Sequence, residues 1–160
     1  MKILISVTLA AMMASPVGAA SAKDALIGIM NAVGNDCENI EITEIPDDSL
    51  FLIGLDEEDA DGVLSAAMTL ETSEDGSAKW IILCESGKAA KKIYGKLWKS
   101  YEFPACDNAE KAVFLKAGRA VAFFKGTGEA VGAYSRAFGD AFGAEGVKIL
   151  KNPAKMTPKY

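Results

Sequence analysis

The sequence predicts an α+β domain, in which an antiparallel sheet built from two ββα units carries packed helices and an N-terminal helix precedes both units. Two observations point to this class. A strand pair followed by a helix is predicted over residues 64–101, and the same order recurs over residues 112–142. Half of the residues are apolar, so the chain has enough material for one domain with a hydrophobic core.

The first part of the domain contains short elements. Asp24 is a suitable cap for a helix from Ala25 to about Val33, which Gly34 would end. Residues 40–42 alternate briefly between apolar and polar, as in a short strand. The apolar run from Leu50 to Leu55 predicts a buried turn or a single helical turn.

The first ββα unit has the clearest pattern. Every second residue from Leu64 to Leu70 is apolar, which predicts a half-buried strand with one apolar face, formed by Leu64, Ala66, Met68 and Leu70. A returning strand follows over Lys79–Cys84. The helix from Gly87 to about Tyr101 then has an inner face formed by Ala90, Ile93, Leu97 and Tyr101.

The second unit consists of a hairpin around Ala117-Gly118 and a helix over residues 128–142. A shift of 41 positions aligns the inner residues of the two helices, although helical spacing alone generates such matches, so coincidence is the alternative to a repeat. A true repeat predicts both helices on the same face of one sheet, with the first helix on the other face. Residues 147–150 form a last strand or an apolar tail. We thus predict a domain over residues 23–151 and a flexible tail over 152–160.

The first 22 residues have the three parts of a secretory signal peptide. A positive start at Met1-Lys2 precedes an uncharged stretch, and Ala20-Ser21-Ala22 forms an A-x-A site. We therefore predict that residues 1–22 are a signal peptide, cleaved after Ala22, and that the protein is exported to the medium, the cell envelope or the periplasm. An uncleaved membrane anchor and a first buried strand of a cytosolic fold are the alternatives.

Charge is unevenly distributed along the chain, whose net charge is −5. Residues 23–78 contain one basic and fifteen acidic residues, whereas residues 79–160 contain fifteen basic and seven acidic residues. Such asymmetry either steers partners or lets the two halves attract each other within one domain, and we favour the second because nothing separates two domains. The acidic total argues against a nucleic-acid partner.

The three cysteines are Cys37, Cys84 and Cys106. Disulfides persist outside the cytoplasm, and an odd number of cysteines allows one bridge at most. Cys37 and Cys106 lie in polar connections, whereas Cys84 ends an apolar strand. We predict a Cys37–Cys106 disulfide and a buried Cys84 thiol.

The chain contains no histidine. This excludes Ser-His-Asp and Cys-His mechanisms and His-ligated metal sites, so an enzyme would have to use carboxylates, Lys, Tyr or Cys. The acidic turn from Asp56 to Asp61 resembles the first half of a calcium loop, with Glu57, Asp59 and Asp61 as candidate ligands. Met68 stands where such a loop needs a bidentate Glu, so a solvated acidic turn is the competing interpretation. No cofactor is predicted.

Four lysines occupy much of the outer face of the helix over residues 87–101, at Lys88, Lys92, Lys96 and Lys99. This stripe is either a patch for an anionic lipid or cell-wall polymer, or a solvated face on which replacing a lysine barely changes stability. The turns at residues 86–88 and 125–128 resemble phosphate-binding turns at helix starts. Neither has the P-loop spacing, so we interpret both as ordinary helix caps.

The apolar turn at residues 50–56, the segment at residues 78–83, the Lys-rich helix ending at Tyr101 and the segment at residues 117–123 occur in this order. In this order the chain resembles a family of small exported or lipid-anchored proteins of Gram-positive bacteria, known only as a domain of unknown function. The resemblance covers roughly residues 24–143 and implies export and a small α+β domain, but no activity. The lipobox Cys that is common in that family is absent here.

These observations predict an exported, non-catalytic α+β domain that binds a partner or ligand at the cell envelope. An envelope protein or polymer is the expected kind of partner, and membrane contact is expected only through residues 1–22 if they are not cleaved. The alternative is an extracellular enzyme, carboxylate-based or cation-dependent, that uses the Asp56–Asp61 turn.

Overall fold

The computed structural model describes residues 21–34, 40–70, 76–156 and 158. The chain forms a 3₁₀ segment at Asp47–Ile53 and a second 3₁₀ turn at Pro153–Lys155. In chain order, the helices and strands are α1 (Ala22–Val33), β1 (Glu41–Glu44), α2 (Glu57–Ala60), β2 (Val63–Leu70), β3 (Ala78–Cys84), α3 (Gly87–Ser100), β4 (Lys111–Ala117), β5 (Ala120–Gly126), α4 (Gly128–Phe142) and β6 (Gly146–Lys151). The predicted α+β class is confirmed.

The six strands form one antiparallel sheet in the order β1-β2-β3-β5-β4-β6. β3 and β5 lie at its centre, with Trp80 opposite Phe123. The β4–β5 hairpin is closed by the pair Ala117 and Ala120, and Gly118 supplies the positive φ of 55° that the two-residue turn needs. Almost every residue of β3 and β5 is buried, because both faces of the sheet are covered.

Two layers of helices cover the sheet. The face covered by α1 and α4, here called the α4 face, buries a core that includes Leu26, Ile81, Phe124 and Phe138. The face covered by α3 and the 3₁₀ segment, here called the α3 face, buries a second core that includes Leu50, Ile82 and Leu97. The sheet is therefore the middle of three layers.

The prediction that α3 and α4 share one face is wrong, because they lie on opposite faces. The chain passes from β3 through α3 to β4, and from β5 through α4 to β6, crossing one strand in the same direction each time. β3 and β5 run antiparallel, so two crossovers of the same hand must use opposite faces. Such connections are right-handed in nearly all proteins. The two ββα units therefore recur in the order of elements but not as equivalent structures.

The single apolar face predicted for β2 is also wrong. Leu64 is 62% exposed and Leu70 is 49% exposed, whereas Ala67 and Thr69 are buried on the α4 face. The register of β2 against β3 shifts between Val63 and Ser65. A bulge and burial on both faces together remove the simple alternation that the pattern suggested.

Both ends of the domain differ from the predicted boundaries. Helix α1 begins at Ala22, which is fully buried, and the Ser21 hydroxyl caps it by accepting a hydrogen bond from the Asp24 N–H (3.1 Å). At the other end Asn152 is 1% exposed and donates hydrogen bonds to the carbonyls of Asp107 and Ala109. The predicted tail is thus held in place where it begins. Residues 1–20 of the predicted signal peptide lie outside the described residues.

Candidate functional site

The acidic turn is built around helix α2, where Asp59 is a buried carboxylate. Asp56 caps this short helix, and its N–H donates to the Asp59 carboxylate (3.2 Å). Lys96 reaches across from α3, with its Nζ 2.5 Å from Asp59 Oδ2 and 2.6 Å from Asp56 Oδ1. Lys92 Nζ lies 3.7 Å from Asp59 Oδ1. The turn is therefore fastened to α3 by ion pairs between the acidic and the basic halves of the chain, as we favoured from the charge distribution.

These contacts hold Asp59 in its ionised form. Burial by itself raises the pKa of Asp59, but hydrogen bonds from Asp56 and Lys96 and the charge of Lys96 outweigh burial and lower that pKa to about 2. Glu57 and Asp61 are exposed. Within the described parts of the chain, no group of three Cys, Asp or Glu side chains is arranged to hold a metal ion. The candidate ligands Glu57, Asp59 and Asp61 are thus not brought together around one point in this structure.

The lysine stripe does not form one patch. Lys92 and Lys96 face the acidic turn, and Lys88 is exposed near the start of α3. Lys99 instead borders a groove on the other flank of α3, with its Nζ 5.8 Å from the centre of the Trp98 ring. Half of the predicted anionic-partner patch is therefore neutralised by the protein itself.

The groove lies between α3 and the β6 edge of the sheet and is called the α3–β6 groove. Its cavity measures about 490 Å³ and is lined by Lys91, Tyr94, Gly95, Trp98, Lys99, Lys116, Glu145 and Gly146. The half-buried rings of Tyr94 and Trp98 form its apolar part, and Gly95 adds no side chain between them. A Cβ on Gly146 would lie 3.3 Å from the Tyr94 ring, so a side chain on this wall would have to displace that ring by a few tenths of an ångström.

Cations surround the two rings. Lys148 projects from β6 on the α3 face, and its Nζ lies 4.6 Å from the centre of the Trp98 ring. Among the described residues, Lys91, Lys99 and Lys148 form no salt bridge with a carboxylate. The carboxylate of Glu145 is paired with Lys116 (2.7 Å), a contact that lowers the pKa of Glu145. The groove thus combines two aromatic rings with three lysines that form no salt bridge among the described residues.

Most of these residues were missed by the sequence analysis. A signal existed, because Lys91, Tyr94 and Trp98 recur at helical spacing on α3, away from the inner face of Ala90, Ile93 and Leu97. Two aromatic residues on a polar helix face mark a surface that is neither core nor fully solvated. Lys116 and Lys148 had no such signal, because only the strand order brings them beside α3.

The two turns that resemble phosphate sites act as caps, as predicted. Ser86 accepts from the Ala89 N–H (3.1 Å) and Thr127 accepts from the Ala130 N–H (3.2 Å). The N–H of Gly128 donates to the carboxylate of Glu110 (2.7 Å), so this helix start already holds an anion from its own chain.

The predicted Cys37–Cys106 disulfide is wrong, because Cys106 has a free and exposed thiol. The prediction rested on polar neighbours in the sequence, which do not bring two Cα atoms to bridging distance. Cys37 lies outside the described residues. The buried thiol predicted at Cys84 is confirmed, and burial raises its pKa to about 12.

Comparisons with known protein families, with curated proteins and with solved structures find no match for this chain. None of the helices in the described part of the chain is long and apolar enough to cross a membrane.

Proposed function

We propose that this protein is an exported, non-catalytic domain that binds an anionic polymer of the cell envelope in the α3–β6 groove. The observation that carries the proposal is the convergence of Lys91, Lys99 and Lys148 on the half-buried Trp98 and Tyr94 rings. Lysines bind phosphate and carboxylate groups, and aromatic rings provide flat apolar surface for the uncharged parts of the ligand. A sugar–phosphate or polyol–phosphate chain offers both.

The shape of the site favours a polymer over a lipid surface. The aromatic rings lie inside a groove and are half-buried, whereas insertion into a bilayer requires apolar side chains that protrude. A groove that is open at the protein surface also accommodates a chain that enters and leaves it. Export itself is supported by the pattern of residues 1–22, and the resemblance to exported Gram-positive proteins remains a prediction of the same kind.

The enzymatic alternative has less support. The acidic turn on which it depended directs its buried carboxylate, Asp59, at Lys96 and not at an open cleft. The neighbouring Asp56 carboxylate contacts the same Lys96 ammonium, so both acids take part in an internal ion pair. We therefore place the function in the α3–β6 groove.

Binding is measured by titrating the protein with poly(glycerol phosphate) and following tryptophan fluorescence. The chain has two tryptophans, and Trp80 is 7% exposed in the core, so the change reports on Trp98. The double variant Lys99→Gln/Lys148→Gln should weaken binding roughly thirtyfold, since each lysine near an anionic surface contributes about 1 kcal/mol and the two together about 2 kcal/mol. Added salt should weaken binding of the wild type as well.

The control variant Lys88→Gln/Lys151→Gln removes the same charge from exposed positions outside the groove. It should bind within about twofold of the wild type, a difference of about 0.4 kcal/mol. Equal losses in both variants, binding to uncharged dextran, or binding to anionic lipid vesicles but not to the polymer would each contradict the proposal. Export is checked separately by fractionating cells that produce the protein; recovery only from the cytosol would contradict it.

A further inference from the structure

Strand β6 is an edge strand whose free side exposes backbone groups. Among the described strands, only β4 pairs with it. Continuing the register of β4 and β6 places Asn152 opposite Glu110, and the Asn152 N–H donates to the Glu110 carbonyl (3.2 Å). This pair is therefore hydrogen-bonded, and so is every second pair along the two strands. Even-numbered residues of β6 exchange hydrogen bonds with β4, so the N–H and C=O groups of Val147, Ile149 and Lys151 point away from the sheet.

The same stretch also exposes apolar side chains. Val147 is 46% exposed and Ile149 is 62% exposed, although their cross-strand neighbours Leu115 and Val113 are buried in the core of the α4 face. Unpaired backbone groups beside exposed branched apolar residues are a template for another strand. The opposite edge differs, because β1 has only four residues and its Ile42 is buried.

We propose that β6 pairs antiparallel with β6 of a second copy of this chain, about a two-fold axis at Ile149, and joins the two six-stranded sheets into one. In this register Ile149 faces Ile149 of the second copy and Val147 faces Lys151. Lys148 faces Leu150, so no lysine stands opposite a lysine. All three outward-pointing residues then lie in hydrogen-bonded pairs. Moving the axis to Lys148 would set two ammonium groups directly opposite each other, which is unfavourable.

The second copy fits this edge better than an unrelated acidic strand. Lys148 is directed over the Trp98 ring on the α3 face, and the side chains at the edge on the α4 face are mainly apolar. The central Ile149 meets its own copy, which is the self-complementarity that a closed two-fold contact requires. Because each copy has one β6, pairing the two strands covers this edge in both copies and gives a closed dimer.

The dimer has a consequence for the groove that, unlike the dimer itself, rests on the proposed function. The two Lys148 residues lie on the same face at diagonal positions across the axis, with their Cα atoms roughly 7–8 Å apart. The two α3–β6 grooves then become neighbours, and one polymer chain spans both. A polymer that reaches both grooves should bind more tightly than a single repeat unit does, whereas the dimer forms without any polymer.

The dimer is tested on the full chain in the absence of polymer by light scattering during size-exclusion chromatography. We expect twice the chain mass that mass spectrometry finds in the same sample. Amide hydrogen exchange provides a second readout, because the N–H groups of Val147, Ile149 and Lys151 are protected only if another strand covers them. Their exchange should slow at least about tenfold between dilute and concentrated samples.

The variant Ile149→Lys places two charges at the axis and should give a single-chain mass. Leu64→Lys is the matched control, because Leu64 is equally exposed, at 62%, on a strand away from this edge, and it should remain dimeric. A single-chain mass for the wild type, fast exchange of the three amides at every concentration, or equal masses for the two variants would overturn the proposal. The exchange measurement uses the wild type, so the test holds even if a variant fails to fold.

Discussion

At the scale of single residues, Asp59 links stability to pH. Its pKa is about 2 in the folded protein against an ordinary value of 3.8, because hydrogen bonds from Asp56 and Lys96 outweigh its burial. A lowered pKa stabilises the fold above the unfolded value, and this stabilisation is lost as the pH falls towards the folded value. We expect the free energy of unfolding to fall between about pH 4 and pH 2, measured by urea denaturation. In Asp59→Asn this loss should be smaller; an unchanged pH profile would contradict the assignment.

Lys96 is the matching residue on α3. If α3 presented only a solvated lysine face, replacing Lys96 would barely change stability. Lys96, however, pairs with the Asp59 carboxylate, whose side chain is only 2% exposed. We expect Lys96→Ala to lower the free energy of unfolding by about 1–3 kcal/mol, because it removes the closer of the two ammonium groups beside Asp59 and leaves only Lys92, at 3.7 Å. Lys88→Ala, on the same helix but exposed, should change it by less than about 0.5 kcal/mol. Equal effects of the two variants would show that the ion pair contributes nothing.

The cysteines differ in reactivity. Cys84 is buried and its pKa is raised to about 12, whereas Cys106 is exposed. Since the thiolate is the reactive form, maleimide should label Cys106 in the folded protein and reach Cys84 only after unfolding. Peptide mass spectrometry of the labelled protein distinguishes the two sites. Rapid labelling of Cys84 under native conditions would contradict its placement in the core of the α3 face.

At the scale of elements, the start of α1 determines how much of the N-terminal segment belongs to the domain. Ser21 caps the helix, and the N–H of the buried Ala22 donates to the hydroxyl of Ser65 (2.8 Å). Cleavage after Ala22 would remove both residues. We expect a chain that begins at Lys23 to be less stable than one that begins at Ser21 by about 1–2 kcal/mol, measured by denaturant unfolding.

The same contacts change the expected processing site. If the chain is processed on export, as proposed, we expect the mature protein to begin at or before Ser21, and N-terminal sequencing of secreted material checks this. Recovery of a mature protein that begins at Lys23, with the stability of the longer chain, would show that the cap and the buried alanine are dispensable.

At the scale of the whole molecule, the three-layer arrangement predicts independence of the two cores. Leu97 is buried on the α3 face and Phe138 on the α4 face. Each replacement by Ala should cost about 2–5 kcal/mol through lost burial and a cavity. Because the sheet separates the two sites, the free-energy changes should add within about 0.5 kcal/mol in the double variant. A larger coupling, measured by a double-mutant cycle, would mean that the two helices share one core.

The α+β class and most element boundaries followed from the sequence alone. In α3 and α4, buried residues recur at the spacing of a helical turn, and turn residues separate the strands. Both signals depend only on a few neighbouring positions, so the local sequence determines them. The buried thiol of Cys84 followed from the same local pattern, since it ends an apolar strand.

The tertiary structure decided the rest, because those features depend on which elements become neighbours. The strand order β1-β2-β3-β5-β4-β6 places α3 and α4 on opposite faces of the sheet. Neither the length of a strand nor its residue pattern indicates which strand it pairs with. The same order brings Lys148 beside Trp98 and leaves β6 at an edge. Lys96 reaches Asp59 from 37 positions away in the chain, a contact that exists only because α3 and α2 pack on one face. Ion pairs, aromatic contacts and free strand edges depend on which residues are close in space. Long-range packing decides this, and no local sequence pattern contains that information.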